Sequence, residues 1–142
     1  MGPFRTAVPI VVTVVLASLL SACVGSGHAV SPAVVTYSHG GPPATAPTRA
    51  DPTASFAAWA GPHQMYVVTW GSGSCPRLPT KVHVDRRNDL TVKTTEHRPS
   101  GTTSCTADLS PTTSTVNFPT GIDFTRPIRV NIDGTVTSLD PR

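Results

Sequence analysis

The stretch "PIRVNIDGTVTSL", Pro127 to Leu139, decides the fold class. Asp133 and Gly134 stand between two runs in which apolar and polar residues alternate. Alternation places successive side chains on opposite faces of a strand, and an Asp-Gly pair favours the type I′ turn of a two-residue hairpin. The stretch therefore predicts an antiparallel hairpin whose apolar residues face the core. These residues are Ile128, Val130, Ile132, Val136 and Leu139.

Two alternating runs upstream predict a second hairpin. "KVHVD", Lys81 to Asp85, and "LTVKTTE", Leu90 to Glu96, flank a turn over residues 86–89. In the first run Val82 and Val84 share one face, while His83 and Asp85 share the other.

Further strands are predicted from composition. "MYVVTW", residues 65–70, and "STVNF", residues 114–118, are rich in β-branched and aromatic residues. "SFAAWA", residues 55–60, fits either a helical turn or the first strand, and "AVVTY", residues 33–37, fits a short docking strand. Six or seven short strands, with no helix beyond the N-terminal apolar run, predict an all-β domain. We expect a small antiparallel sandwich or barrel with one disulfide.

The length and composition of the chain fit one small domain. The chain has 142 residues with a net charge of +3, and only 13% of its residues are charged. Its 15 Pro and 11 Gly argue against a helical protein. No nucleic-acid-binding motif is present, so we expect no nucleic acid partner.

The N-terminus has the features of an export signal. Arg5 precedes an almost wholly apolar run, Ala7 to Leu20, which is shorter than the ~20 residues that span a bilayer as a helix. An ordinary signal ends in a small-x-small pattern, but here Leu20 occupies the position three before the cut. An ordinary or uncleaved signal with an incidental cysteine is the alternative.

Leu20, Ser21, Ala22 and Cys23 together resemble the bacterial lipobox. Membership of that lipoprotein class implies cleavage before Cys23 and a diacylglyceryl group on its thiol. We expect no cofactor besides this covalent lipid. Two acyl chains anchor a protein stably to a bilayer. The resemblance therefore implies a lipid-anchored protein on the extracytoplasmic face of the cell membrane.

The predicted organisation has three parts. Residues 1–22 are the lipoprotein signal peptide, and residues 23–54 are the lipidated N-terminus with a linker rich in Pro, Gly, Ala and Thr. Such a linker buries too little apolar surface to offset its ordering entropy. Residues 55–142 form the β domain.

Acylation of Cys23 determines how many cysteines remain to form disulfides. With Cys23 acylated, Cys75 and Cys105 remain as a pair, and an oxidising compartment favours a disulfide between them. The enclosed loop of roughly 30 residues implies about 3.5 kcal/mol on the chain-entropy account. A metal or redox pair is the alternative, but there is no Cys-x-x-Cys and no histidine at ligand spacing.

The segments "WGSGSCPRLPTKVHVD" and "CTADLSPTTSTV" resemble parts of small secreted or lipid-anchored proteins of actinobacteria. The resemblance covers Trp70 to roughly Ile132. It also implies pairing of Cys75 with Cys105, and it supplies no catalytic residue.

The sequence contains no complete motif for a catalytic site. "GSGSC", Gly71 to Cys75, lacks the serine of a nucleophile elbow and reads as a turn that presents a disulfide. His83 and Asp85 are weak candidates for a zinc site, against the simpler interpretation of a solvated strand face. Arg86 and Arg87, at a predicted hairpin tip, are suited to anionic headgroups or acidic wall polymers.

The sequence therefore predicts a non-enzymatic, membrane-anchored binding or structural module of the cell envelope. Its partners would be the membrane, through the lipid, and an envelope protein, wall polymer or small ligand. A small hydrolase or metal-dependent enzyme on a β scaffold is the alternative, and a purely structural or immunogenic surface protein is a third.

Overall fold

The computed structural model describes residues 34–40 and 51–142. Within these ranges there are eight strands and no helix. The strands are β1 (Val34–His39), β2 (Phe56–Gly61), β3 (Gln64–Gly71), β4 (Arg77–Arg86), β5 (Asp89–Glu96), β6 (Ser110–Asn117), β7 (Ile128–Ile132) and β8 (Thr135–Leu139). The predicted signal peptide and Cys23 lie outside the described residues.

The strands form two four-stranded sheets. Sheet 1 has the order β1-β6-β3-β2, and sheet 2 has the order β4-β5-β7-β8. Neighbouring strands are antiparallel except β5 and β7, which are parallel. The prediction of a small all-β fold with one disulfide is confirmed, and the two separate sheets make it a sandwich rather than a barrel.

The core lies between the sheets and draws on both. Sheet 1 contributes Ala57, Met65, Val67 and Val116, all buried. Sheet 2 faces them with seven buried residues. These are Val82, Leu90, Val92, Ile128, Val130, Ile132 and Leu139.

The predicted C-terminal hairpin forms, but one of the residues predicted to face the core does not do so. Asp133 and Gly134 both have positive φ, 47° and 101°, as the tight turn requires. The turn sets Val130 opposite Thr137 and Asn131 opposite Val136. Because residues directly opposite share a face, Thr137 is buried and Val136 is 50% exposed. The expectation that Val136 faces the core is therefore wrong.

At β2 and β3, sheet 1 is buried on both of its faces. Val67 points into the core, while Val68 points the other way, and both are fully buried. Val68 belongs to a second cluster with Phe56 and Ala58, against which Tyr66 packs.

One strand differs from the sequence-based expectations, and two others adopt alternatives that the sequence analysis left open. The turn-rich segment 71–79 contains the start of β4, which begins at Arg77 and tolerates Pro79 because β4 is an edge strand with a register shift after that residue. Residues 55–60 adopt the strand alternative, as β2. Within the range assigned to the linker, β1 pairs with β6, which agrees with the docking-strand interpretation of residues 33–37.

Candidate functional site

The disulfide joins two of the three places where the chain of the described strands changes sheet. Cys75 follows β3, the last strand of sheet 1 before β4, and Cys105 precedes β6, where the chain returns to sheet 1. Their Sγ atoms are 2.15 Å apart and their Cα atoms 5.4 Å apart. Glu96 lies beside them, with its Oε1 3.5 Å from the Cys105 sulfur. These three residues form the one group of potential metal ligands among the described residues, and two of them are bonded to each other.

A carboxylate reinforces this junction. Asp108 accepts hydrogen bonds from the Gly73 N–H, at 3.0 and 3.2 Å to its two oxygens, and from the hydroxyls of Thr106 and Ser110. The hydrogen bonds from Ser110, Thr106 and Gly73 hold the pKa of Asp108 well below its usual range. A Cβ at Gly73 would lie 2.6 Å from the Asp108 Oδ2. The "GSGSC" segment is therefore a structural turn whose glycine makes room for a carboxylate.

The structure brings His83 and Asp85 together on the outer face of sheet 2. The His83 Nε2 lies 2.9 Å from the Asp85 Oδ1, and the Thr91 hydroxyl donates to the other oxygen of the carboxylate. His83 is directly opposite Thr91 in the sheet. Both side chains are more than two-fifths exposed. Among the described residues, no third His, Cys, Asp or Glu side chain joins the pair to form a group of potential metal ligands.

A shallow pocket lies beside this pair. It has a volume of about 140 Å³, well below the 300–1,000 Å³ of typical ligand pockets. Its lining mixes charges of both signs with an amide and aliphatic groups. The lining residues are Asp85, Asp89, Leu90, Arg129, Asn131 and Val136.

A larger groove lies where the edge strands of the two sheets meet, and sequence reasoning missed it. It has a volume of about 400 Å³ and is lined by β2, β8 and the residues after β8. The Ala57 N–H donates to the Thr137 hydroxyl across the two edges, at 3.2 Å. The lining residues are Ala57, Ala58, Trp59, Ser138, Leu139, Asp140 and Arg142.

Trp59 is the central side chain of this groove. Its indole N–H donates to the Asp140 carbonyl at 3.1 Å, and the Arg142 guanidinium lies 4.6 Å from the ring centroid. Phe118 and Phe124 pack against the indole at centroid distances of 5.2 and 6.1 Å. The ring is therefore held in one orientation at the groove surface.

The predicted basic hairpin tip is exposed. Arg86 and Arg87 lie at the turn between β4 and β5, where Asn88 adopts a positive φ of 64°. Neither arginine forms an ion pair within the described ranges. The charge of Arg87 contributes to lowering the pKa of Asp123, and both guanidinium groups remain exposed to solvent.

Comparisons of this chain with protein-family models, curated proteins and solved structures find no match. Within residues 34–40 and 51–142, no helix has the length and apolar character needed to cross a bilayer.

Proposed function

We propose that this protein is a lipoprotein, anchored through acyl chains on Cys23 at the extracytoplasmic face of the cell membrane, and that its β domain is a non-enzymatic binding module of the envelope. The observation that carries the anchor is the segment Leu20 to Cys23 directly behind an apolar run. The Cys75–Cys105 disulfide supports the location, because structural disulfides belong to oxidising compartments.

Metabolic labelling with a fatty acid tests the anchor. Wild-type protein should carry the label, whereas Cys23→Ala should lose it and accumulate as precursor or released protein. Ser21→Ala is the matched control, because it keeps a small residue ahead of Cys23 and should retain the label. Undiminished labelling of Cys23→Ala would rule out this acceptor.

The placement of polar and aromatic side chains on the surface of the domain supports the binding role. The His83–Asp85 pair is exposed on a strand face, whereas the Trp59 groove is large enough for a ligand and joins an aromatic ring to polar groups. A photo-crosslinking residue at Ser138, inside the groove, should capture an envelope component in intact cells. The same residue at Thr125, which is exposed and outside the groove, is the control. Equal capture from both positions would count against the groove as the binding site.

One observation favours the alternative, a small hydrolase or metal-dependent enzyme: the 2.9 Å contact between His83 and Asp85. If that pair were a zinc site, purified protein would bind zinc stoichiometrically, and His83→Ala would abolish the binding. We expect no stoichiometric zinc and no hydrolysis of ester, amide or glycoside substrates. Zinc binding that is lost in His83→Ala would support the enzyme instead.

A further inference from the structure

The Trp59 groove is preorganised. The indole packs against Phe118 and Phe124, and its N–H donates a hydrogen bond to the Asp140 carbonyl. The Arg142 guanidinium lies over the face of the ring. A ligand that takes the place of Arg142 would therefore meet a flat apolar surface without having to reorient the ring, which lowers the entropy cost of binding.

The rim of the groove offers unused polar groups. Among the described residues, the Ser138 hydroxyl and the Asp140 carboxylate have no hydrogen-bond partner, and Arg142 has no ion pair. All three residues are exposed. The groove thus combines an aromatic floor with hydrogen-bonding groups on one side of it.

Few ligand classes match that combination. A purely apolar ligand would desolvate the Asp140 and Ser138 groups without pairing them, which costs free energy. An anionic ligand would be attracted by Arg142 but repelled by the Asp140 carboxylate, so the two charges on the rim do not favour an anion. A pyranose ring fits both parts, because its C–H groups form an apolar face while its hydroxyls project from the ring edge.

We propose that the Trp59 groove binds a neutral glycan, with one sugar ring stacked on the indole of Trp59 in place of the Arg142 guanidinium and its hydroxyls hydrogen-bonded to Ser138 and Asp140. The inference deepens the proposed binding function and rests on it. A volume of about 400 Å³ is within the range of ligand pockets and is large enough for more than a single ring.

Tryptophan fluorescence gives a direct readout. The chain has two tryptophans, so Trp70→Phe leaves Trp59 as the sole indole. The buried indole N–H of Trp70 has no hydrogen-bond partner among the described residues, so the phenylalanine gives up no hydrogen bond there. Titrating this variant of the mature protein with N-acetylglucosamine oligosaccharides of two to four rings should give a saturable change in Trp59 emission.

Two substitutions on β8 test the location. Ser138→Phe fills the groove and should weaken the oligosaccharide response at least tenfold. Val136→Phe is the matched control, because Val136 is exposed two residues earlier on the same strand and lies outside the groove. It should leave the response unchanged. Equal loss in both variants, or no response before substitution, would overturn the proposal.

Arg142→Ala provides a test that does not depend on blocking the groove. Because the guanidinium must leave the ring, removing it should tighten oligosaccharide binding by about two- to fivefold, the equivalent of an exposed cation–π contact. Weaker binding would show that Arg142 is a ligand-binding group and not a competitor. The melting temperature of each variant, measured in parallel, separates loss of binding from loss of fold.

The outcomes distinguish the glycan proposal from the binding role. If the oligosaccharides fail but the crosslinker at Ser138 still captures an envelope component, the ligand class is wrong and the binding module stands. A saturable response to an extended tripeptide, with none to oligosaccharides, would identify the groove as a site for an added β-strand. If neither the crosslinker nor any probe responds, the binding role fails together with the glycan proposal.

Discussion

The two sheets of this sandwich use their outer faces in opposite ways. The outer face of sheet 2 carries polar residues such as His83, Thr91 and Asn131. On the outer face of sheet 1, Phe56 and Val68 are as buried as the core residues. A half-exposed sheet produces a clear apolar–polar alternation, whereas a sheet buried on both faces reads as a continuous apolar run. The difference explains why "KVHVD" alternates and "MYVVTW" does not.

The sheets are tied together at one end and meet in a groove along one side. The disulfide and Asp108 join the β3–β4 and β5–β6 crossovers, and the Trp59 groove lies between the edge strands β2 and β8. A rigid junction at the crossovers fixes the relation between the sheets. The geometry of a groove lined by both sheets depends on that relation.

Removing the disulfide should have the largest effect on this arrangement. The bridge closes a sequence separation of 30 residues, so the double substitution Cys75→Ala and Cys105→Ala should lower the free energy of unfolding by about 3.5 kcal/mol. Urea denaturation of the mature protein measures it. Each single variant should lose about as much, because either substitution removes the bridge. A loss below ~1 kcal/mol would mean that the Asp108 contacts alone hold the crossovers.

The next effect tests the contrast between the outer faces. Val67 and Val68 are neighbours on β3, both fully buried but on opposite sides of sheet 1. Val67→Ala and Val68→Ala should each cost about 2 kcal/mol, since each removes buried methyl groups. Val136→Ala, on the half-exposed outer face of sheet 2, should cost less than about 0.5 kcal/mol.

Thermal and urea unfolding of the three variants decide the comparison. If Val68→Ala behaves like Val136→Ala, the outer face of sheet 1 is not buried in solution and the contrast between the sheets disappears. If Val67→Ala also has little effect, the core between the sheets is itself loosely packed.

A smaller effect is expected at the junction itself. Gly73→Ala would place a Cβ 2.6 Å from the Asp108 Oδ2, so the carboxylate must move and its hydrogen bonds to the turn weaken. We expect a fall of about 5 °C in melting temperature. Gly61→Ala is the control, because its nearest contact, the Gln64 Oε1, is 3.7 Å away. A Gly73→Ala variant as stable as Gly61→Ala would show that the Asp108 cluster is dispensable.

Local signals explain which parts of the fold were predictable. The β7–β8 hairpin could be recognised because its turn residues and alternation lie within one short stretch. The pairing of β1 with β6 and the parallel pairing of β5 with β7 could not, because they join strands distant in sequence that carry no turn between them. The error at Val136 was one of register: the residue is apolar, but the turn places it opposite Asn131 and away from the core.

The candidate site was predictable only where it is local. His83 and Asp85 share one strand face because they are two residues apart, and the cysteines could be paired by counting. The groove could not be found in this way, because Trp59, in sheet 1, and its partner Asp140, which follows the last strand of sheet 2, are 81 residues apart. Cys23 and the proposed anchor lie outside the described residues, so the labelling experiment is their test.

The smallest effect that we expect is a dependence of the stability of the fold on pH. Hydrogen bonds from Ser110, Thr106 and Gly73 lower the pKa of Asp108 from an ordinary value of 3.8. A group whose pKa is lower in the folded than in the unfolded state stabilises the fold above its unfolded pKa, and that stabilisation is lost as the pH falls through the folded pKa. Wild-type protein should therefore lose stability below about pH 4 relative to neutral pH.

Asp108→Asn isolates this contribution. The difference in melting temperature between wild type and Asp108→Asn should be constant from pH 7 to about pH 5 and should shrink as the pH falls below about 4. Ser110→Ala, which removes the largest of the lowering contacts, raises the pKa of the folded carboxyl towards its unfolded value, so the loss should be smaller than in wild type and complete at a higher pH. A difference that does not depend on pH would mean that the asparagine acts through shape and that the charge on Asp108 contributes nothing to the junction between the two sheets.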